Sequence, residues 1–167
     1  MIDKLTLKTG GAKMLTKEVK KILCCTDFSK NARVAFDYAL EAVTHRPGAE
    51  LVLLHVIPAP DAQYWKPYIY NVVENVDEMA KKTFDKRVAE EYAALVPEGV
   101  KFTPVFRIGK ASVEITRFAE EEKVDIIIMG RQGRGALESL LFGTVAEKVV
   151  QRATCPVLVI PLVEKGV

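Results

Sequence analysis

Between residues 20 and 161, five short apolar, β-rich runs alternate with segments of helical period. No other feature of the chain restricts its fold as much. "KKILCC" (20–25), "ELVLLHVI" (50–57), "KFTPVFRIG" (101–109), "VDIIIMG" (124–130) and "CPVLVIP" (155–161) read as strands. Between the first two, residues 29–45 place Ala32, Ala35, Phe36, Ala39, Leu40 and Val43 on one helical face, behind Ser29 as N-cap. Residues 71–95 carry the longest stripe: Val72, Val76, Met79, Ala80, Phe84, Val88, Tyr92 and Leu95. Residues 110–123 turn Ala111, Ile115, Phe118 and Ala119 inward, and Phe142, Val145, Ala146, Val149 and Val150 repeat the spacing. Such an order predicts an α/β fold with a doubly wound parallel sheet of five strands and helices on both faces. "ELVLLHVI" has the continuous apolar character of a strand covered on both sides. Pro104 lacks the N–H that a central strand needs, so the third strand belongs at an edge.

The 167 residues suit one domain, expected over 20–161, with a polar arm at 1–19, mobile in part, and a tail at 162–167. Lys and Arg number 24 against 22 Asp and Glu. That balance gives no bulk attraction to nucleic acid or to an anionic membrane. No apolar stretch approaches a membrane span, and the start does not read as a secretory signal. A cytoplasmic protein is the expectation. Cys24, Cys25 and Cys155 make no disulfide framework and no zinc spacing. Neighbours on a strand, Cys24 and Cys25 should face opposite ways as small buried hydrophobes.

The stretch "MGRQGRGALESLLFGT" (129–144) leaves the fourth strand at its carboxyl end, where doubly wound sheets place their ligand crevice. Gly130 and Gly133 can adopt positive φ and let backbone approach a ligand closely. Gly143 and Thr144 open the next helix, whose first N–H groups and dipole suit a phosphate, with the Thr144 hydroxyl as a further donor. Arg131 and Arg134 can neutralise phosphate charge. The spacing is G-x2-G-x9-G-[ST]. It is not a P-loop, and "GRGALE" lacks the third glycine of a dinucleotide turn.

With these residues, the chain resembles the universal stress protein family of the ATP-binding kind. The glycine pattern, "ILCCTDFSKNARVAFDYAL", "LVLLHVI" and "ATCPVLVIP" carry the resemblance over roughly 20–161. It implies a Rossmann-like, adenine nucleotide α-hydrolase-like fold with strand order 3-2-1-4-5 and a ligand between strands one and four. It implies ATP, or else ADP or AMP, as ligand, with Mg²⁺ carried by the nucleotide. By position, Thr26 and Asp27 fall beside the adenosine, and Val56 offers its main chain to the adenine edge. Met129 and Gly130 fall under the ribose and phosphates, while Gly133, Gly143, Thr144 and Val145 hold the phosphates. Arg131 and Gln132 stand where many members carry Ser or His. Cys25 stands where many carry proline or a small residue. The family is commonly a homodimer through its last strand, and "PVLVIP" suits an edge that pairs with a twofold mate.

The implied role is a nucleotide-dependent stress sensor or switch, with at most slow ATP hydrolysis and an unidentified protein partner. One alternative is an interaction or chaperone-like protein of the same fold that uses no nucleotide. A more distant one is an adenylating enzyme of the α-hydrolase group, although "CCTDFS" lacks the glycine-rich loop those enzymes place after strand one. No nucleophile and base stand at recognisable spacing. His55 reads as a satisfied core histidine and His45 as complementing a helix dipole. The aromatic "DAQYWKPYIYNVV" (61–73) reads as a docked surface segment or as a lid over the adenine. For Asp27, a local turn or helix cap competes with ligand contact.

Overall fold

β1 (Lys21–Thr26) lies at the centre of a parallel sheet, with β2 (Glu50–Ile57) on one side and β4 (Ile126–Gly130) on the other. β3 (Lys101–Ile108) lies outside β2, and β5 (Val157–Ile160) outside β4. The computed structural model describes residues 18–58, 73–133 and 143–162. Among them the strand order is β3-β2-β1-β4-β5. The arm to residue 17, most of the 61–73 segment, Arg134, Gly135, Phe142 and the tail from 163 lie outside the described residues. Cys24 is in register with Leu53 of β2 and Ile128 of β4. Pro104 is on an edge strand, as its missing N–H requires.

The helices among the described residues are α1 (Lys30–Thr44), α2 (Val73–Glu91), α3 (Ala111–Glu121) and α4 (Thr144–Arg152). Ser29 caps α1, its Oγ accepting the Ala32 N–H at 3.1 Å. The alternation of β1 divides the interior in two. Ile22 and Cys24 face a core built with Ala35, Phe36 and Ala39 of α1 and Phe84, Val88 and Tyr92 at the end of α2. Leu23 and Cys25 face a second core with Ile115 and Phe118 of α3 and Ala146 and Val149 of α4. The two cysteines are buried, unbridged and on opposite faces. Burial pushes both thiols up, Cys25 to about 12 and Cys24 well above its ordinary value.

Two expected stripes end early. The 71–95 run stops being helical after Glu91: Tyr92 takes φ −128°, and a 3₁₀ turn, Ala93–Leu95, leaves Leu95 exposed. Tyr92 is drawn into the core and the chain must bend there to reach β3. In α4, Ala146 and Val149 are buried but Val150 is half exposed. A nine-residue helix beside a four-residue edge strand covers only the middle of its apolar face.

At the amino ends of the strands, polar groups tie the sheet together. The Asp125 carboxylate accepts the N–H groups of Lys20 and Lys21, both at 2.9 Å. Glu50 accepts the Thr103 hydroxyl at 2.7 Å and meets Lys101 at 3.2 Å. These bonds join β1 to the residue that leads into β4, and β2 to β3, at the end away from the crevice.

Among the described residues, no helix is long and apolar enough to cross a membrane.

Candidate functional site

The winding reverses between β1 and β4, and their carboxyl ends part there to form a cleft. Its volume is about 380 Å³, within the range of small-molecule sites. Cys25, Leu54, Ile115 and Met129 form an apolar floor that is the top of the second core. Thr26, Asp27, Val56, Gly130, Arg131, Gln132, Gly133, Gly143, Thr144 and Val145 complete the walls. The expected site residues that are described, Met129 included, thus meet at one cleft.

The glycines serve close approach rather than the positive φ anticipated for Gly130 and Gly133. Positive φ among the described glycines belongs to Gly48, Gly99 and Gly109. A Cβ on Gly130 would stand 3.0 Å from the Asn31 side chain, and one on Gly133 only 2.6 Å from Asp27 Oδ2. A Cβ on Gly143 would meet the Arg131 carbonyl oxygen at 3.1 Å. The strand exit and the helix start therefore interlock through bare backbone. Gly143 N–H donates to the Arg131 carbonyl at 2.8 Å, closing the loop on itself.

Gly143 is also the N-cap of α4, with φ −73° and ψ 146°, and no side chain among the described residues caps it. Helix geometry leaves the first N–H groups without intrahelical acceptors. Those of Thr144, Val145 and Ala146 belong to residues that line the cleft. They bring the positive end of the helix dipole to it. Arg131 adds a guanidinium whose Nε is buried with no hydrogen-bond partner among the described residues. A buried donor left alone is costly.

Asp27 does two things. Oδ1 accepts the Ser29 N–H at 3.0 Å, the local turn role, while Oδ2 lies against Gly133 at the cleft wall. Thr26 is more structural than the resemblance implies. Its hydroxyl bonds Tyr92 at 2.7 Å and accepts the Phe28 N–H at 2.9 Å, and its carbonyl meets His55 Nδ1 at 2.8 Å. Thr26, which lines the cleft, thus also pins the end of β1. Burial raises the Tyr92 phenol to about 12, against the opposing hydrogen bond from Thr26, so the pair stays neutral. His55 is the satisfied structural histidine expected, its ring 4.8 Å from Phe28 and stacked 6.2 Å from Phe84. His45 caps α1, with Nδ1 2.9 Å from the Glu41 carbonyl.

Phe28 makes the turn that aims Asp27. Its φ of 61° is uncommon for a bulky residue. The ring is held between His55, Tyr92 and the Arg87 guanidinium, the last 3.9 Å away. That packing stabilises the strained turn.

The sequence did not identify Leu54, Ala111, Ile115 or Asn31 as site residues. Leu54 shares a strand face with Val56, and Ala111 and Ile115 are one helical turn apart, so periodicity had marked them as apolar without showing that their layer opens into a cleft. Asn31 gave no signal. Its partners, the Gln132 N–H and the Ile160 carbonyl, are main-chain groups 101 and 129 residues away. Among the described residues, no group of three or more His, Cys, Asp or Glu is gathered to hold a metal ion.

Residues 18–161 match the model of the universal stress protein family. A universal stress protein of Methanocaldococcus jannaschii is 35% identical over 153 residues, covering 84% of this chain and 81% of its own length. A second from that archaeon is 32% identical over 155 residues, 84% of this chain and 94% of its own. Its solved structure superposes with a TM-score of 0.71, covering 89% of this chain and 99% of that one. A universal stress protein from Archaeoglobus fulgidus, solved in complex with dAMP, shares the fold at a TM-score of 0.55 and 21% identity, covering 85% and 97% of the two chains.

Proposed function

The chain belongs to the universal stress protein family, and from that premise we propose that it binds ATP in the β1–β4 cleft and acts as a nucleotide-dependent switch in a stress response. The observation that carries this reading is one device: a glycine-walled loop facing the uncapped start of α4, with the orphaned Arg131 Nε beside it. That donor set suits a polyphosphate. The floor of Cys25, Leu54, Ile115 and Met129 suits an adenine ring, whose edge Val56 would bond through its main chain. Asp27 Oδ2 is assigned to a ribose hydroxyl or amino hydrogen. Gly130, Gly133, Gly143, Thr144 and Val145 are assigned to the phosphates, with Arg131 and Arg134 neutralising charge. That a relative of the same fold is solved with dAMP supports an adenine nucleotide as the ligand class.

Mg²⁺ would arrive with the nucleotide, held by its phosphate oxygens and by water. Hydrolysis is at most slow on this reading, because the sequence pairs no nucleophile with a base at recognisable spacing. The nucleotide domain is assigned to 20–161, with the arm 1–19 and tail 162–167 outside it. The protein is cytoplasmic on this reading, and its assembly is a homodimer through the outer edge of β5, a strand on which Leu158 is 42% exposed.

The test is nucleotide content. Protein purified without added nucleotide is denatured and the supernatant analysed, and folded protein stripped of nucleotide is titrated calorimetrically with ATP, ADP and AMP. Bound adenine nucleotide and a preference for ATP are expected. An empty site with no binding at millimolar ATP overturns the proposal in favour of an interaction protein that uses no nucleotide.

A further inference from the structure

Asn31 is the second residue of α1 and is buried, at 4% exposed. Asparagine is a poor residue there on local grounds. It forms helix less readily than alanine, and its amide is costly to bury unless its bonds are remade. They are remade, but outside the helix. Oδ1 accepts the Gln132 N–H at 2.9 Å, and Nδ2 donates to the Ile160 carbonyl at 2.9 Å. That carbonyl also accepts the Arg131 N–H at 2.7 Å. One side chain thus ties the loop after β4 to the last residue of β5. Gly130 completes the fit, since a Cβ there would press on Asn31 at 3.0 Å from Cγ and 3.1 Å from its main-chain carbon. Asn31 itself is not among the residues that line the cleft, whereas Gly130, Arg131 and Gln132 are.

We propose that Asn31 is a positioning residue for phosphate binding, fixing the Gly130–Gly133 loop from behind by clamping it to the end of β5. The inference rests on the cleft being the nucleotide site. It assigns the loop's geometry to two main-chain anchors, Gln132 N–H and Ile160 O, that share one amide. Losing the amide leaves the floor of the cleft intact, because Cys25, Leu54, Ile115 and Met129 belong to the other core. The effect of the clamp is therefore confined to the phosphate end.

The experiment compares wild type with Asn31→Ala, Asn31→Asp and Gly130→Ala. Asn31→Asp keeps the acceptor for Gln132 but sets a carboxylate oxygen against the Ile160 carbonyl. Gly130→Ala displaces Asn31 without removing it. Calorimetry is run with ATP and with adenosine, and amide exchange at Gln132 is followed in ligand-free protein. Asn31→Ala and Asn31→Asp should each weaken ATP by about tenfold or more, a difference calorimetry resolves readily, and leave adenosine unchanged, while Gly130→Ala, a change in the cleft wall itself, is read only by loss of Gln132 amide protection. The Gln132 amide should be protected in wild type and exposed in Asn31→Ala. Equal weakening of ATP and adenosine, tracking a lowered thermal midpoint, marks a merely structural role and overturns the proposal. If Asn31→Ala fails to fold, Asn31→Asp carries the same comparison. If wild type binds neither ligand, the cleft assignment falls, and positioning for phosphate falls with it. Gln132 protection in wild type would then show only that the clamp exists as structure.

Discussion

Gly133 and Arg131 both line the cleft, and substitutions at each separate shape from charge. At Gly133→Ala the new Cβ would lie 2.6 Å from Asp27 Oδ2, so the carboxylate or the loop must shift. ATP affinity is expected to fall by about tenfold or more, with little change in thermal midpoint. Calorimetry paired with a melting curve checks this. Arg131→Met keeps the stem and removes every donor. The lost charge-assisted bond is worth about 1.5–3 kcal/mol, so ATP should weaken by about ten- to a hundredfold, and AMP by less. Equal loss for both would place the guanidinium away from the terminal phosphates. At this scale the sequence was most legible where residue type has few uses: four glycines near a strand exit, an arginine among them, an Asp after a strand. It was least legible at Asn31, whose meaning lies in two main-chain partners that no local pattern brings near. Thr26 has a structural part that its position in the sequence did not announce. Its position is at the cleft, but Tyr92 and His55 occupy its oxygens.

The strands and helices follow from period and composition because each is buried in the way its pattern states. β2 is apolar without alternation and is covered on both faces by the two cores. Pro104 alone located β3 at an edge. Where the pattern overreached, tertiary geometry explains it: Tyr92 ends α2 by turning into the core, and β5 is too short to cover Val150. β5 is also where an element makes a prediction of its own. Its Leu158 is an exposed apolar side chain on a strand with no outer neighbour among the described residues. Leu158→Asp should convert the proposed dimer to monomer without lowering the monomer's thermal midpoint. Sedimentation at several concentrations decides it, and an unchanged association would put the interface elsewhere.

For the whole molecule, titration sets the bounds of stability. Burial alone would raise the Glu50 carboxyl, but the Thr103 hydroxyl and the Lys101 ammonium outweigh it and hold it below its ordinary value. A lowered acid stabilises the fold above its unfolded pKa, and that contribution is lost as pH falls through the folded value. The buried thiols and Tyr92 act in the other direction. Raised by burial, Cys25 to about 12 from 9.0 and Tyr92 to about 12 from 10.0, they contribute fully below their unfolded values. That contribution is lost as pH climbs towards 12. Melting curves should therefore show an acid limb that flattens in Glu50→Gln and an alkaline limb that flattens in Cys25→Ala. A wild-type profile unmoved by either change would refute the assignment.

The division of the interior by β1 has a consequence for how such a chain can diversify. The cleft takes its floor from one layer only, that of Cys25, Leu54, Ile115 and Met129. The other layer, built on Ile22, Leu51, Leu53 and Phe36, meets the loop chiefly through Asn31 and the carbonyl of Ile160. Volume-conserving changes there are tolerated without touching a ligand. A combinatorial library spread over both layers and selected for ligand capture should therefore drift freely in the layer of Ile22 and Phe36 and freeze in that of Cys25 and Met129, giving one sheet two rates of sequence change.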